Sequence, residues 1–446
     1  MAKCIERPRT TCAQGGALAT IASLPKVVAI SHAGEGCGGN LTNAIAACSG
    51  YSGEGYCSGP QVPSSAVREK HVVFGGAKRL TEEIEAAEEL IDANLFVVVT
   101  GCTTEMIGDD IFAVVREFEN AKTPVIGVNT PSFSGDAYSG YEIVIDGIFN
   151  KYLQPVEESE KDSKLINIFG IIPNFDPFYR GDLEEIKRIL EKVGLKVNTF
   201  FTPDQTFDNI LSAPKAALNI NFSHVWAVNF NKKFSQIHKT KVFETDLPIG
   251  AVATENFLRE LATYVDIDAE ILEKVIAEEN DRYYEYFTRT VDLITNSQFF
   301  FYGSVITNSN YALPLAKYLD EELSWRIGDV IVTDILPKIK QKRINAAFDD
   351  SIFKGKLLLE TDAKQIEWSI TKNHPRNEGD RYFNNEAPQF ILGSTYDKYL
   401  ANNIGAKTLA VSYPITNRLI VNKGYAGFNG GLNLLEDIIG VLVIGR

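Results

Sequence analysis

The cysteines of this chain are confined to its beginning. All six lie within the first 102 residues, and the rest of the chain has none. Three stand in turn-like or glycine-rich stretches: Cys12 in TTCAQGG, Cys37 in HAGEGCGGN and Cys102 in VVVTGCTTE. Thiolates that bind a soft metal centre are presented from such bends, because glycine lets the backbone approach the ligand closely. The N-terminal quarter is therefore the expected site of chemistry.

Composition excludes several classes of protein. The net charge of −14 argues against a nucleic-acid partner, because phosphate binding needs clustered Lys and Arg. The cysteine spacing lacks the paired CxxC of compact zinc sites. Residues 1–10 lack a signal-peptide pattern, and no stretch reaches the ~20 apolar residues that cross a bilayer. We expect a cytoplasmic protein without membrane contact, whose cysteines are metal ligands or reactive thiols rather than disulfides.

Apolar strand patterns alternate with helical patterns along the chain. The predicted strands lie at 25–30, 94–100, 124–128, 164–172, 195–201, 217–222, 298–305, 330–336, 356–359 and 390–392. One helix is predicted from Thr103 to Phe118, with acidic residues in its first turns. This alternation predicts an α/β fold of parallel sheets with crossover helices.

The 446 residues are too many for one core. The charged stretch EESEKDSK at 157–164 marks a boundary. We therefore predict three doubly wound, Rossmann-like domains at 1–160, 161–295 and 296–446, the last with a final helix that packs back. Ligands in such folds bind beyond the carboxyl ends of strands. Cys37 and Cys102 both follow predicted strands, so we expect them at one sheet edge.

The glycines around Cys37 could also cradle a phosphate. The loop lacks both the GxGxxG order and the Lys-Ser/Thr of a P-loop, so nucleotide binding is disfavoured. A loop with two further cysteines after turns is more typical of an iron–sulfur site, because such clusters take thiolate ligands and need backbone amides near their sulfurs.

Five collinear motifs resemble component 1 of nitrogenase and its nitrogenase-like relatives. They are CAQGGALATIASLPKVVAISHAGEGCGGN (12–40), VVFGGAKRLTEEI (72–84), TGCTTEMIGDDI (100–111), NTPSFSGDAYSGY (129–141), and SYPITNR with GYAGFNGG (412–431). The resemblance runs in order over nearly the whole chain and implies the nitrogenase component 1 fold.

In that family three cysteines of each subunit hold half of the P-cluster, an eight-iron cluster between two homologous subunits. The resemblance implies that Cys12, Cys37 and Cys102 are the metal ligands of this chain. Ser132, in TPSF, matches the serine that can ligate the oxidised cluster in some members. The other cysteines match no ligand position and are expected to be packed or spectator residues; they are Cys4, Cys48 and Cys57.

The resemblance points to a β-type subunit. The α-type subunit adds a cysteine in its middle domain and a late histidine, which hold the reducing cofactor. The corresponding stretches here, ALNINFSHVWAVNF and SYPITNR, lack that cysteine and that histidine. His224 lies near the place of the missing cysteine and is expected to be a packed residue. The reducing iron–sulfur cofactor is therefore expected in the partner chain only, and no catalytic residue is assigned here.

The implied function is electron relay in an oxidoreductase that is active only as a complex. An ATP-hydrolysing iron protein would pass electrons through the P-cluster to the cofactor of the α-type partner, within an α2β2 heterotetramer. CAQGGAL differs from the CxPxGA of nitrogenase β subunits, and the long N-terminal extension of molybdenum-type β subunits is absent. These departures fit an alternative nitrogenase or a nitrogenase-like enzyme such as methylthio-alkane reductase.

Two other functions stay open on the sequence. One is a scaffold for nitrogenase-cofactor assembly, and the other is a nitrogenase-like tetrapyrrole reductase. The role of His32, five residues before Cys37, is also open between hydrogen bonding near the cluster and simple packing.

Overall fold

The computed structural model describes residues 5–51, 62–296, 302–351, 355–373 and 389–444. Cys4 and Cys57 lie outside these ranges. Within them, the named strands form three sheets, and each pairing between those strands is parallel. The predicted α/β architecture of parallel sheets with flanking helices is confirmed.

The first sheet contains strands β1 (Val27–His32), β2 (Leu95–Thr100) and β3 (Val125–Val128), in that spatial order. A short segment at 63–65 pairs with the free side of β1, where Ser31 donates its N–H to the carbonyl of Pro63 at 2.8 Å. From β1, the chain therefore first adds the 63–65 segment on one side and then β2 and β3 on the other, so the direction of winding reverses between β1 and β2. In doubly wound folds this switch point opens the crevice that binds ligands.

Strand β2 is buried on both faces. Its side chains alternate between two apolar clusters: Phe96 and Val98 pack in one with Leu80 of the neighbouring helix, and Val97 and Val99 pack in the other. An unbroken apolar run is typical of a central parallel strand with helices on both sides. Among the described residues, seven α-helices accompany this sheet: α1 (Ala13–Ala22), α2 (Gly39–Cys48), α3 (Glu69–Phe74), α4 (Ala77–Leu90), α5 (Cys102–Ile107), α6 (Ile111–Glu117) and α7 (Ala137–Ile145).

The prediction of one helix from Thr103 to Phe118 is wrong. Helix α5 ends at Ile107, and the next residue, Gly108, adopts a left-handed conformation with φ of +79°. Helix α6 then begins after Asp110, whose side chain accepts the N–H of Ala113 at 3.0 Å. Glycine at the end of one helix and aspartate before the next are the usual stop and start signals.

The second sheet has the order β5-β4-β6-β7, so its chain order also reverses. Its strands are β4 (Asp162–Phe169), β5 (Lys196–Asn198), β6 (Ala216–Asn221) and β7 (Lys241–Glu244). Its helices are α8 (Tyr179–Lys192), α9 (Phe207–Ser212), α10 (Val228–His238), α11 (Gly250–Leu261) and α12 (Ala269–Asn296). Strand β4 begins inside the charged stretch that we predicted as a boundary.

The third sheet has the order β10-β9-β8-β11-β12, with its reversal between β8 and β11. Its strands are β8 (Tyr302–Thr307), β9 (Arg326–Val332), β10 (Lys356–Leu359), β11 (Phe390–Gly393) and β12 (Lys407–Ala410). Its helices are α13 (Ser309–Glu321), α14 (Lys338–Asp349), α15 (Ala363–Asn373), α16 (Asp397–Ile404) and α17 (Gly427–Ile444). The start of the strand predicted at 298–305 lies outside the described residues.

The last helix, α17, contacts helices α8, α11 and α12, which accompany the second sheet. Asp182 of α8 accepts the backbone N–H groups of Tyr425 and Ala426 at 2.6 and 2.8 Å, just before α17 begins. The three sheets occupy successive parts of the chain, while the domain limits at 160 and 295 stay a prediction. In the part of the chain that the structure describes, no helix is long and apolar enough to span a membrane.

Candidate metal centre

The structure brings three of the cysteines to the carboxyl edge of the first sheet. Cys37 ends a short 3-10 turn that follows β1, and Cys102 is the first residue of α5, directly after β2. Cys12 immediately precedes α1. Each of the three side chains is half-buried, so each thiol lies near the surface. The loops that carry Cys37 and Cys102 flank the switch point of the sheet.

The thiols are close enough to affect one another's ionisation. Burial raises the pKa of the Cys37 thiol, and the nearby Cys12 and Cys102 sulfurs raise it further. Three thiolates gathered in one place would repel one another, so the arrangement favours a positively charged centre that neutralises them.

Ser132 lies in direct contact with Cys102. Its backbone N–H donates to the Cys102 sulfur at 3.2 Å, and the thiol donates to the Ser132 hydroxyl oxygen at 2.9 Å. The loop that carries Ser132 is attached to the end of β2 through Thr130, which makes two hydrogen bonds of 2.9 Å with Thr100. A thiol and a hydroxyl are thus held side by side.

Cys12 is positioned by a close contact between two helices. The backbone on either side of Cys12 pairs with that around Asp136: Ala13 donates to the carbonyl of Gly135 at 3.1 Å, and Ala137 donates to that of Thr11 at 2.9 Å. One turn later Gly16 lies against the backbone of Ala137, where a Cβ atom would have no room. The glycines after Cys12 thus let α1 pack against α7, which follows the Ser132 loop.

The donor set consists of three thiols and one hydroxyl. Among the described residues, no group of three His, Cys, Asp or Glu side chains is placed to bind one metal ion. Iron–sulfur clusters, in contrast, bind each thiolate at a different iron, so their ligands lie farther apart. Three thiols with a neighbouring hydroxyl fit a multinuclear iron–sulfur centre.

The remaining candidates lie elsewhere. Cys48 is at the end of α2, where burial raises the pKa of its thiol and the Tyr413 hydroxyl lies within hydrogen-bonding range. His224 lies between the carboxylates of Glu244 and Asp246, at 3.2 and 3.0 Å from its two ring nitrogens. Although burial opposes protonation, these carboxylates raise the pKa of His224 to about 9. A charged imidazole with both nitrogens engaged cannot be a metal ligand.

A cavity of about 910 Å³ opens beside Cys12 and Ser132. Its wall includes the buried Trp226, and the Lys340 ammonium lies 3.4 Å from the centre of the indole ring. Lys340 also pairs with Glu142 at 2.7 Å. Among the described residues that line this cavity, Cys12 supplies the one thiol, and there is no histidine.

Sequence reasoning missed the partners of His32. This side chain is fully buried between Ser65, in the segment that pairs with β1, and Asp109, in the turn after α5. Asp109 belongs to the motif TGCTTEMIGDDI, and Gly76 of the motif VVFGGAKRLTEEI donates to it. The two motifs could have been singled out as neighbours of the cysteines, but nothing in the sequence shows that they meet.

The family of the chain follows from a comparison with family models. The model described as "Nitrogenase component 1 type Oxidoreductase" matches residues 12–443. The chain belongs to the nitrogenase component 1 family. Members of this family are oxidoreductases, and the match covers all four residues of the candidate centre.

Individual relatives within the nitrogenase component 1 family are distant. A "Nitrogenase molybdenum-iron protein beta chain" from Bradyrhizobium diazoefficiens is 24% identical, over 97% of this chain and 83% of the relative. A "Nitrogenase molybdenum-iron protein alpha chain" from Methanosarcina barkeri is 25% identical, over 83% of this chain and 74% of the relative. The solved structure "Nitrogenase Cp1 at pH 6.5" has a TM-score of 0.79 and 19% identity, covering 100% of this chain and 94% of that one. That likeness confirms the nitrogenase component 1 fold.

Proposed function

We propose that this chain is the β-type subunit of a nitrogenase or nitrogenase-like reductase. Its Cys12, Cys37 and Cys102 thiolates would bind half of an interfacial P-cluster, with Ser132 as a further ligand. The observation that carries the proposal is the gathering of these thiols at one sheet edge, with the Ser132 hydroxyl 2.9 Å from the Cys102 sulfur. The bound cluster would supply single-electron transfer between an ATP-hydrolysing iron protein and the partner subunit.

The surface beside the thiols supports a partner subunit. Phe133, the residue after Ser132, is 68% exposed, and Met106 on the helix of Cys102 is 72% exposed. Large apolar side chains next to a half-buried reactive group are typical of a surface that another protein covers. Three thiolates also leave part of a cluster without ligands, so a homologous α-type subunit would supply the rest in an α2β2 assembly.

The β-type assignment rests on the residues around the large cavity. A second iron–sulfur cofactor at that place would need thiolate or imidazole ligands. Beyond Cys12, the described lining residues offer neither, and His224, which lines a different cavity, has both nitrogens engaged by carboxylates. The Trp226 ring and the Lys340–Glu142 pair occupy its wall instead. The reducing cofactor, and with it the reduction of dinitrogen or a methylthio-alkane, would therefore belong to the partner subunit.

The residues of this chain would have three tasks at the centre. They present three thiolates in fixed positions, they exclude water from one side, and they adjust the potential through hydrogen bonds to sulfur. The N–H of Ser132, which donates to the Cys102 sulfur, is such a bond. Cys102 is also the first residue of α5, so the bound cluster would lie at the positive end of that helix.

The test is anaerobic co-purification of the full chain with its native partners, followed by iron, molybdenum and vanadium analysis. We expect an α-type partner and about eight irons per αβ pair beyond those of its cofactor, as for one P-cluster. Cys37→Ala and Cys102→Ala should lose these irons, whereas Cys48→Ala, a matched half-buried cysteine, should keep them.

Four results would decide against the proposal. A wild-type complex without iron, or equal iron loss in Cys48→Ala, would remove the P-cluster assignment. Purification as a homo-oligomer without an α-type chain would point to a tetrapyrrole-type reductase. An iron-loaded complex that reduces neither dinitrogen nor methylthio-alkanes, with the iron protein and ATP present, would favour an assembly scaffold.

A further inference from the structure

We propose that His32 is a positioning residue for the metal centre, acting through Asp109 and through its own backbone. The inference rests on the proposed P-cluster function and assigns a role to a side chain outside the ligand set. His32 is the last residue of β1, and the loop with Cys37 begins directly after it. Its side chain is fully buried.

Both ring nitrogens of His32 have a defined partner. Nε2 lies 3.0 Å from Oδ2 of Asp109, and Nδ1 lies 2.9 Å from the hydroxyl of Ser65. A carboxylate accepts hydrogen bonds, so Nε2 carries the proton and Nδ1 accepts the Ser65 hydroxyl. Burial lowers the pKa of His32 even though Asp109 opposes this, which agrees with a neutral imidazole in this tautomer.

Asp109 extends the contact to a third segment. Its two carboxylate oxygens accept the N–H of Gly76 at 2.9 and 3.0 Å. A Cβ atom at Gly76 would lie 2.6 Å from Oδ2 of Asp109 and 3.1 Å from Cε1 of His32, so only glycine fits there without displacement. The segment before α4 is thereby fixed to the segment that follows α5.

The backbone of His32 holds the Cys102 segment directly. Its carbonyl oxygen accepts the N–H of Gly101 at 2.9 Å and the hydroxyl of Thr104 at 2.8 Å. These two residues flank Cys102 and Thr103 at the start of α5. One residue therefore connects the end of β1, where the Cys37 loop starts, with both ends of the Cys102 turn and with Asp109 beyond it.

Replacement of a residue that fixes the ligand segments should weaken metal binding, whereas replacement of a residue that only fills the core should not. Groups behind metal ligands orient them, and their loss typically costs about 10- to 100-fold in metal affinity. The chain offers a matched control in His238, which lies in α10 beside the second sheet. His238 is also buried, and its Nε2 lies 2.9 Å from the carbonyl oxygen of Phe149. Replacement of His238 should affect stability without affecting the metal centre.

The experiment uses the αβ complex, purified anaerobically, with His32→Leu, His32→Gln, Asp109→Asn and His238→Leu. The readouts are the rate of iron transfer to a chelator, the EPR spectrum of the cluster, and amide exchange at Gly76 and Gly101. We expect about tenfold faster iron loss and an altered EPR line shape for His32→Leu. His32→Gln keeps an N–H near Nε2 and should recover most of the effect, and His238→Leu should match the wild type.

The possible results separate the two proposals. Wild-type iron release and spectra in both His32→Leu and Asp109→Asn would overturn the positioning role, as would equal acceleration in His238→Leu. If His32→Leu does not fold, Asp109→Asn alone decides, since it preserves the side-chain volume. A wild-type complex without iron would instead contradict the P-cluster proposal. In that case, faster amide exchange at Gly76 and Gly101 in His32→Leu would still show that His32 fixes these segments.

Discussion

Replacement of Arg9 should loosen the segment that carries Cys12. The Arg9 guanidinium forms a bidentate ion pair with the Asp397 carboxylate, with both N–O distances at 2.7 Å. It also donates a hydrogen bond to the Ser394 hydroxyl at 2.8 Å. Each side chain of the pair is only 2% exposed. Arg9 lies three residues before Cys12, while Asp397 begins α16 beside the third sheet. The pair therefore fixes the start of the chain to its C-terminal part.

The magnitude follows from the burial of the pair. Removal of one partner leaves the other charge buried without compensation, which costs about 3–5 kcal/mol. If the opening of residues 5–12 breaks this pair, Arg9→Met should accelerate amide exchange at Ala13 and Ser394 by roughly two to three and a half orders of magnitude. Exchange measured by mass spectrometry suits a chain of three sheets, because local opening free energies remain defined where a single unfolding transition does not.

Two variants make this test specific. Arg9→Met combined with Asp397→Leu should exchange more slowly than Arg9→Met alone, because no unpaired charge stays buried. Arg79→Met removes a partly exposed pair with Glu83 on α4 and should cost only about 0.3–0.5 kcal/mol. Exchange in Arg9→Met within threefold of the wild type would show that other contacts fix the segment.

Three further predictions concern other parts of the molecule. Gly16→Ala should lower the melting temperature because the new methyl group meets backbone, at a cost of about 1–3 kcal/mol. Gly440→Ala, where a Cβ meets nothing within 4 Å, should be neutral or stabilising by up to about 1 kcal/mol. A calorimetric melting temperature that is higher for Gly16→Ala than for Gly440→Ala would contradict the close packing at Gly16. The pKa of His224 is raised to about 9, so its stabilisation is complete below the ordinary value of 6.5 and disappears as the pH rises through 9. His224→Gln should therefore destabilise the protein by about 2–3 kcal/mol at pH 6 and much less at pH 10, and a pH-independent difference in unfolding experiments would count against it. Phe133→Lys should leave the melting temperature of the chain unchanged and weaken co-purification of the α-type partner; unchanged recovery would place the interface elsewhere.

Local sequence was sufficient to locate the central strands. The run LFVVVT predicted β2, and the structure places Leu95–Thr100 in the middle of the first sheet. The placement of Cys37 and Cys102 at one edge followed from parallel topology alone, because both residues come after strands. The strands that escaped prediction, β7 and β12, are four-residue edge strands with less apolar character.

Long-range contacts could not be predicted in the same way. No strand was predicted before Cys12, and its place depends on the fit of Gly16 against Ala137, which is remote in sequence. His32 and Asp109 are separated by 77 positions, and neither residue alone indicates the other. The turn at Gly108 was missed because the apolar pattern continues on both sides of it, while the glycine and the following Asp110 decide the local backbone.

Different interactions fix the two candidate ligands Cys12 and Cys102. Cys12 depends on the contact of α1 with α7 and on the Arg9 pair, whereas Cys102 depends on Ser132 and on the carbonyl of His32. The Arg9 pair and the carbonyl of His32 share no partners, so their contributions should add nearly independently in free energy. Loss of the Arg9 pair should therefore leave the Cys102 segment in place. At the proposed centre, Cys12 and Cys102 would stay anchored while the proposed partner subunit docks over the exposed surface around Phe133.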